Sequence, residues 1–423
     1  MNILYLCPDL GIPVLGRKGA SVHVRELARA LGRAGHQITV AAQVLTKSPW
    51  EKPATFELPL VQVRPDAMAS AAIQRLKQFN STLGLENSLP GELRRILYNQ
   101  ELVNDLTRRF ENDPPDFIYE RASLYATAGV SLAKTFGVPL LLELNAPLSI
   151  EQTAYRSTGL GELALEAERW SLKGADALLV VSNALKKHAL TVGVPEDKVH
   201  VLSNGVNNAL FRPGKPDPNI REKMKLKGGP VLGFVGGLRP WHGVEILPDL
   251  LSHLNEPNRP VQLVIAGDGP LRPQLERDFK TRGLEKQVVF TGLVAHDEIP
   301  EIVRNFDIAL APYPPLDHDF YFSPLKLFEY MACGIPVVAA NVGQIAEVLT
   351  DTKTGLLYPT GDLTGLTRCC EDLLQNPTLR DSIGAAGAEL VSRQYTWDRN
   401  AACITELATS LIRAKSCSAS PIC

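Results

Sequence analysis

Hydrophobic residues along this chain fall into short runs that alternate with longer amphipathic segments. The runs are nearly continuous in Val, Ile, Leu and Ala, as expected for strands of a sheet that is covered on both faces. In the first half of the chain the predicted strands span residues 2–6, 37–44, 60–64, 116–121, 139–144, 176–182 and 198–205. Helical patterns separate most of these strands, and this alternation predicts parallel βαβ units.

The alternation stops in one segment and then begins again. Residues 207–219 are rich in Pro, Asn and Gly, which is typical of a linker. The strands predicted beyond it span residues 230–237, 261–270, 287–292, 307–313, 335–340 and 354–359. The sequence therefore predicts two α/β domains, each a doubly wound, Rossmann-like parallel sheet, facing each other across a cleft. We assign the first domain to 1–206 and the second to 207–396, and we expect a final helix, 397–413, to pack back on the first domain.

A glycine-containing loop follows the first predicted strand. Gly16, Lys18 and Gly19 precede an amphipathic helix that we expect to begin near Ser21. Its apolar stripe recurs at helical spacing at Val24, Leu27, Ala28 and Leu31. The arginines between them, Arg25, Arg29 and Arg33, are expected to face away from the core. The loop has no GxGxxG pattern, so it is either a phosphate-binding turn of another kind or a plain βα connection.

Residues 321–338, YFSPLKLFEYMACGIPVV, combine a helix start, a cation and a carboxylate. Ser323 and Pro324 predict a hydroxyl cap followed by proline at the first helical position, and Gly334 is expected to end the helix. Lys326 and Glu329 share one helix face. They form either a surface ion pair or a site for a ligand with an anionic end and hydroxyl groups.

Other strand-end loops carry candidate binding groups. GGLRPWHG contains Gly236 and Gly237, which permit close backbone approach, and then Arg239 and His242. These two cations either bind an anion or face solvent. The loops AGDGP, with Gly269, and FTGLVAHDEIP, with Leu293, follow later strands, and the backbone of the second could line a flat base.

The predicted strand 139–144 ends in polar residues. Glu143 lies in an otherwise apolar run, and Asn145 follows the strand. An ionisable group in such a run is costly unless it is paired, so Glu143 has either a functional role or a structural hydrogen bond.

Composition narrows the class of protein. The chain has 423 residues and a net charge of −2, which argues against nucleic-acid binding through the phosphate backbone. Seven scattered cysteines without metal-ligand spacing predict reduced thiols and a cytoplasmic location. Residues 70–110 contain basic, amphipathic helical patterns, which fit either peripheral contact with the inner membrane surface or an ordinary surface helix.

The stretch SPLKLFEYMACGIPVVA, with AGDGP, LSNGV and GGLRPWHG, resembles glycosyltransferase family 4 over nearly the whole chain. The family comprises retaining, nucleotide-sugar-dependent enzymes of the GT-B fold. The resemblance implies transfer of a sugar from a nucleoside diphosphate, UDP or GDP, to the hydroxyl of a lipid-linked or glycan acceptor. It implies no metal and no other cofactor, and a place in cell-surface glycan or glycolipid synthesis. The alternatives are a non-catalytic nucleotide-sugar-binding protein and a nucleotide-sugar 2-epimerase.

The resemblance also implies roles for individual residues. Glu329 would bind the ribose hydroxyls, and Lys326, Arg239 and His242 would stabilise the leaving diphosphate. The remaining contacts to the donor nucleotide or diphosphate would come from Gly19, Gly236, Gly237, Gly269, Leu293, Ser323, Pro324 and Leu325. Glu143 and Asn145 would contact the transferred sugar or the acceptor.

Four positions depart from the family pattern. Tyr321 stands where the family has a second Glu that meets sugar hydroxyls, and Asn145 stands where many members have His. Gly237 takes the place of an Arg, and Arg239 could restore that charge. His242 takes the place of a Lys and would need a raised pKa to carry a full positive charge, which two nearby phosphates could supply.

Overall fold

The computed structural model describes residues 1–47, 53–155, 158–255 and 260–419. The chain forms two compact units. Unit 1 comprises Met1–Ser203 and the segment from Trp397 onwards, and unit 2 comprises Asn204–Thr396.

Unit 1 is built on a parallel sheet that has seven strands in the described residues, in the order β3-β2-β1-β4-β5-β6-β7. The strands are β1 (Asn2–Cys7), β2 (Gln37–Ala42), β3 (Leu60–Gln62), β4 (Phe117–Arg121), β5 (Leu140–Leu144), β6 (Ala177–Val180) and β7 (Val199–Val201). The helices are α1 (Gly19–Arg33), α2 (Ala67–Thr82), α3 (Leu89–Phe110), α4 (Ala128–Phe136), α5 (Leu148–Tyr155), α6 (Gly161–Gly174), α7 (Asn183–Val192) and, at the end of the chain, α16 (Trp397–Ala419).

Unit 2 is built on a second parallel sheet, with six strands in the described residues, in the order β10-β9-β8-β11-β12-β13. The strands are β8 (Val231–Val235), β9 (Gln262–Ala266), β10 (Val288–Gly292), β11 (Ile308–Ala311), β12 (Val337–Ala340) and β13 (Leu356–Tyr358). The helices are α8 (Pro218–Lys223), α9 (Leu247–Leu254), α10 (Arg272–Thr281), α11 (Ile299–Val303), α12 (Leu325–Ala332), α13 (Gly343–Val348), α14 (Leu363–Gln375) and α15 (Pro377–Gln394).

Two doubly wound parallel sheets confirm the predicted fold class, and every predicted strand is present. Several strands are shorter than their apolar runs, because the run continues past the last residue that finds a pairing partner. The run 176–182, for example, contains only the strand Ala177–Val180. The run 261–270 ends as a strand at Ala266, where Gly267 leaves the ladder with φ +149°.

Each sheet reverses its strand order at one place, between β1 and β4 in unit 1 and between β8 and β11 in unit 2. In open α/β sheets ligands bind beyond the carboxyl ends of the strands at such a reversal. The loops after β1, β4, β8 and β11 are therefore where each unit is built to hold a ligand.

Helix α16 lies against α1 within unit 1. Arg33 on α1 contacts the carboxylate of Asp398 at 2.7 Å, and the rings of His23 and Trp397 meet edge to face with their centroids 4.8 Å apart. Helix α16 thus packs on α1 and belongs to the same layer of unit 1.

Candidate functional site

Glycines shape the loops at the strand reversal of unit 2. Gly236 follows β8 with φ +146°, and a Cβ built there would lie 2.8 Å from Lys326 Nζ. Gly267 follows β9, and a Cβ on it would lie 2.0 Å from the carbonyl oxygen of Gly236. Any side chain at these positions would force the two loops and the lysine apart, so the sequence provides the one residue type that lets them meet.

Helix α12 approaches the same place with its N-terminus. Its first residue is Leu325 and its N-cap is Pro324, without a side-chain cap. The predicted capping role of Ser323 is wrong, because its hydroxyl instead accepts a hydrogen bond from the backbone N–H of Asn204 at 2.9 Å. The Asn204 side-chain amide also donates to the Ser323 carbonyl at 2.6 Å. The cap fails because the segment before α12 is fixed by Asn204, which lies far away in the sequence.

The other end of the prediction for α12 is confirmed. Gly334 follows the helix with φ +74°, and the strand β12 begins three residues later. Within the helix, the Tyr330 hydroxyl accepts a hydrogen bond from the backbone N–H of Val235 at 2.6 Å. This bond joins α12 to the end of β8 and so fixes the distance between the helix and the Gly236 loop.

Lys326 is a buried cation at the point where the N-terminus of α12 meets the Gly236 loop. Its side chain lies over two aromatic rings, with Nζ 4.2 Å from the ring centre of Phe234 and 5.4 Å from that of Tyr313. Among the described residues, no side chain or backbone group accepts a hydrogen bond from Nζ. Burial lowers the pKa of Lys326 to about 7, although the carboxylate of Glu329 acts in the opposite direction. A buried ammonium without an acceptor indicates a place that an anionic ligand fills.

His242 lies on the same loop as Gly237. Its Nδ1 is 2.5 Å from the Gly237 carbonyl oxygen, and because a carbonyl only accepts, Nδ1 carries the proton. Burial, together with the positive charge of Lys326, lowers the pKa of His242 to about 3. In the protein by itself His242 is therefore neutral, and the raised pKa that its suggested cationic role requires is not present.

Glu329 forms no ion pair with Lys326 in the described part of the chain, which removes one of the two alternatives that the sequence left open. Its Oε1 is 2.8 Å from Nε2 of His296, and both Glu329 and Lys326 are buried. A surface pair at i and i+3 is thus excluded. Sequence reasoning missed His296, which lies in the loop after β10; the ring of Phe211 packs against it with the centroids 5.2 Å apart.

Four further candidate residues of unit 2 lie in different environments. Arg239 is exposed and its guanidinium lies 5.6 Å from the ring centre of Trp241. Leu293 is 64% exposed in the loop after β10. Gly269 packs so closely on Leu238 that a Cβ would lie 2.4 Å from its carbonyl oxygen. Tyr321 is buried and stacks on His318.

In unit 1, α1 begins at Gly19, two residues before the predicted start, with Lys18 as its N-cap. The predicted apolar stripe of this helix is buried, as expected. Arg25 is the exception to the prediction, because it is buried and donates to the carbonyl oxygens of Val14 and Gly16 at 2.5 and 2.7 Å. It holds the loop that precedes the helix, and local periodicity does not show that this loop folds back over the helix.

Glu143 on β5 is a buried carboxylate surrounded by donors. Oε2 accepts from His23 Nε2 at 2.9 Å and from the Tyr119 hydroxyl, and Oε1 accepts from Arg121 at 2.8 Å and from the Asn145 amide. Burial alone would raise the pKa of Glu143, but the charge and hydrogen bond of His23, together with Arg121, outweigh it and lower the pKa to about 2. Glu143 is therefore ionised and saturated.

A surface formed by α2 and α3 exposes apolar side chains in unit 1. Met68 is 78% exposed, Phe79 61% and Leu83 54%, and they lie close in sequence to Arg75 and Lys77. A cavity of about 170 Å³ opens between the two helices. None of the helices described here is both long enough and apolar enough to span a membrane.

Comparisons with known proteins agree with this geometry. A family model described as "Glycosyltransferase Family 4" matches residues 17–210, and one described as "Glycosyl transferases group 1" matches residues 229–376. Together the two models cover most of both units.

Individual proteins are similar over long stretches. An alpha-D-kanosaminyltransferase of Streptomyces kanamyceticus is 27% identical over 63% of this chain and 69% of its own length. A D-inositol 3-phosphate glycosyltransferase of Xylanimonas cellulosilytica is 25% identical over 92% of this chain and 91% of its own. The crystal structure of HepE from Anabaena in complex with UDP shares the fold, with a TM-score of 0.71, 20% identity, and coverage of 97% and 100%. The chain belongs to glycosyltransferase family 4 and is a hexosyltransferase-type enzyme with the GT-B fold.

Proposed function

We propose that this enzyme transfers a sugar from a nucleoside-diphosphate sugar, UDP- or GDP-linked, to an acceptor hydroxyl with retention at the anomeric carbon and without a metal ion. The observation that carries the proposal is the buried ammonium of Lys326, which has no acceptor among the described residues. The helix α12 contributes the amides of its first turn at the same end, where the helix dipole favours an anion. A diphosphate supplies the charge and the acceptor oxygens that this place requires.

Glu329 supports a nucleotide as the ligand. Its carboxylate lies one helical turn from Lys326, and His296 occupies only one of its two oxygens among the described residues. The other oxygen can accept hydrogen bonds from the hydroxyl groups of a ribose. The similar HepE structure contains UDP, which fits a nucleoside diphosphate in this fold.

The chemistry follows from charge development on the leaving group. As the bond between the anomeric carbon and the diphosphate breaks, negative charge builds on the terminal phosphate. Lys326 and the amides of α12 stabilise this charge, and the exposed Arg239 can close on it. His242 contributes a cation once the phosphates raise its pKa. The leaving phosphate accepts the proton of the acceptor hydroxyl on the same face, so no strong protein base is needed.

The acceptor side of the proposal rests on unit 1. The exposed apolar side chains of α2 and the neighbouring basic residues fit an anionic membrane surface, where a lipid-linked acceptor would be found. A role in cell-surface glycan or glycolipid synthesis agrees with this surface.

A sedimentation assay tests this surface. We expect the enzyme to sediment with vesicles that contain phosphatidylglycerol, and less of it to sediment after Phe79→Ser. Equal recovery with neutral vesicles would contradict electrostatic binding.

A donor screen tests the whole proposal. Purified enzyme is incubated with a panel of UDP- and GDP-sugars in EDTA, with and without a polyprenyl-phosphate extract, and nucleoside diphosphate release is measured. Release with one donor that depends on the extract is the expected result, and the anomeric proton coupling of the product reports retention. Binding without release across the panel would favour a non-catalytic nucleotide-sugar-binding protein, and conversion of the donor without acceptor would favour an epimerase.

A further inference from the structure

Asn145 follows β5 in unit 1 and is tied to the buried Glu143. One atom of its side-chain amide lies within hydrogen-bond distance of Glu143 Oε1. An ionised carboxylate can only accept hydrogen bonds, so the atom that faces Glu143 must be the donor Nδ2. The chemistry of the neighbour therefore fixes which way round the amide lies.

This orientation leaves the amide oxygen on the other side. Asn145 is half-buried, and no described residue donates a hydrogen bond to its Oδ1. A carbonyl-type oxygen held in one direction and still accessible is suited to accept a hydrogen bond from a hydroxyl group of a ligand. The oxygen itself cannot donate, and one of the two N–H groups of the amide is committed to Glu143.

Glu143 in turn cannot rotate to release Asn145. Arg121 and the Asn145 amide donate to one carboxylate oxygen, and Tyr119 and His23 donate to the other. The pairing of β4 with β5 places Arg121 directly beside Glu143, so the arrangement is built into the sheet. Each lone pair that Glu143 could offer a substrate is already used.

The geometry points to a division of roles at this end of β5. Glu143 is a positioning residue that never touches the substrate, and Asn145 Oδ1 accepts a hydrogen bond from a hydroxyl of the acceptor or of the transferred sugar. This inference rests on the proposed transfer of a sugar to a hydroxyl group. It replaces direct contact by both residues, the role that the family resemblance implies, with contact by Asn145 alone.

The first test compares Asn145→Ala with Asn145→Asp, and uses Asn104→Ala, an exposed asparagine on α3, as the matched control. For Asn145→Ala we expect the kcat/KM for transfer to fall roughly tenfold to a hundredfold, the size of one lost hydrogen bond to a polar substrate group. The Kd for UDP or GDP should stay within about twofold. A kcat/KM for transfer within twofold of the wild type would overturn the assignment.

Asn145→Asp tests whether the hydrogen bond to Glu143 matters for activity. Its ionised carboxylate would lie against Glu143 and lack the donor, whereas its protonated form restores a donor to Glu143 and keeps an oxygen for the substrate. The ratio of variant to wild-type activity is therefore expected to rise as the pH falls. A ratio that does not depend on pH would show that the orientation set by Glu143 is unimportant.

A measurement without turnover separates this inference from the proposed function. The Asn145 side-chain amide resonances are assigned by their loss in Asn145→Ala, and one proton is expected to be shifted downfield and protected from exchange by its bond to the carboxylate. Glu143→Gln, if folded, should remove that signature. Averaged, rapidly exchanging amide protons in the wild type would overturn the orientation, even if transfer itself is confirmed. If no donor is turned over, the proposed function fails while the protected amide still reports the orientation.

Discussion

Two buried charges, one in each unit, behave in opposite ways. In unit 1, Glu143 is an anion whose oxygens accept hydrogen bonds from four side chains, two of them on basic residues. In unit 2, Lys326 is a cation for which the described residues provide no acceptor, only aromatic faces. Folding satisfies the first charge completely and leaves the second without an acceptor, and we propose that a ligand supplies one. The difference separates a residue that maintains the scaffold from one that is a candidate for binding, although both are ionisable groups in apolar surroundings.

The largest effect is expected from breaking the satisfied charge. Glu143→Ala leaves Arg121 and His23 buried without their carboxylate, and should lower the free energy of unfolding by roughly 3–5 kcal/mol. Chemical denaturation at pH 7 measures it. Because the folded-state pKa of Glu143 lies near 2, below its unfolded value, the difference from wild type should shrink as the pH falls from about 5 towards 2. A variant as stable as the wild type would show that Glu143 does not stabilise the fold.

Removing the unsatisfied charge should harm activity and not stability. Lys326→Met keeps a long, unbranched side chain and removes a buried, unpaired ammonium, so the melting temperature should stay equal or rise. The kcat/KM for transfer should fall roughly a hundredfold, because the leaving diphosphate loses a buried cation. Lys280→Met, at an exposed position on α10, is the control. Loss of stability with retained activity would reverse the roles that we assign.

Arg239 tests whether an exposed cation shares the work of the buried one. Arg239→Ala should remove about 1.5–3 kcal/mol of charge-assisted hydrogen bonding to the diphosphate, a fall of roughly tenfold or more in kcat/KM. Arg277→Ala, another exposed arginine of unit 2, should change little. Equal kcat/KM values for the two variants would show that Arg239 does not contact the diphosphate.

The smallest effect concerns pH. Glu329, His242 and Tyr313 lie around Lys326, and burial lowers its pKa to about 7. A diphosphate binds the protonated form, so its Kd should rise roughly eightfold between pH 6.5 and pH 8. Calorimetry in buffers of different ionisation enthalpy should show proton uptake at pH 8. Lys326→Arg should bind with a weaker dependence, because only His242 then still takes up a proton. An equally steep dependence in that variant would assign the effect to a group other than Lys326.

The same lysine makes an opposite contribution to the stability of the protein without ligand. Its folded-state pKa is lower than its unfolded value, so the unfolded chain binds more protons between about pH 7 and pH 10. The contribution of Lys326 to the free energy of unfolding therefore rises with pH over this range.

The sequence predicted the two sheets because buried parallel strands leave a continuous apolar run that needs no long-range information. It also placed Lys326 and Glu329 on the correct short helix. It missed His296 and His23, since each meets its carboxylate across a distance in sequence that no local pattern encodes. Arg121 offered a signal, because an arginine on the strand next to an isolated Glu143 is a natural partner.

The burial of Arg25 and the failure of the Ser323 cap have one cause. In each case a residue outside the helix supplies a partner that outweighs the local preference, the preceding loop for Arg25 and the distant Asn204 for Ser323. Helix periodicity assumes that a polar face meets water, and at Arg25 it meets the carbonyl groups of the preceding loop instead. Local sequence rules therefore fail at these two positions, because the partner of each residue lies outside its helix.

The route of the chain has a consequence for its synthesis. Unit 1 is interrupted after Ser203 and resumes only at Trp397, whereas unit 2 is continuous and its two ends are joined by a backbone hydrogen bond from Val206 to Tyr395 at 2.9 Å. During translation, residues 1–203 cannot complete unit 1 until the segment that begins at Trp397 has been synthesised. Unit 2 can fold as soon as it has emerged, whereas in unit 1 the surface of α1 that α16 covers stays exposed until translation is nearly finished. A nonsense mutation or proteolytic cut near residue 396 would therefore destabilise unit 1, most of which precedes residue 204, rather than the adjacent unit 2.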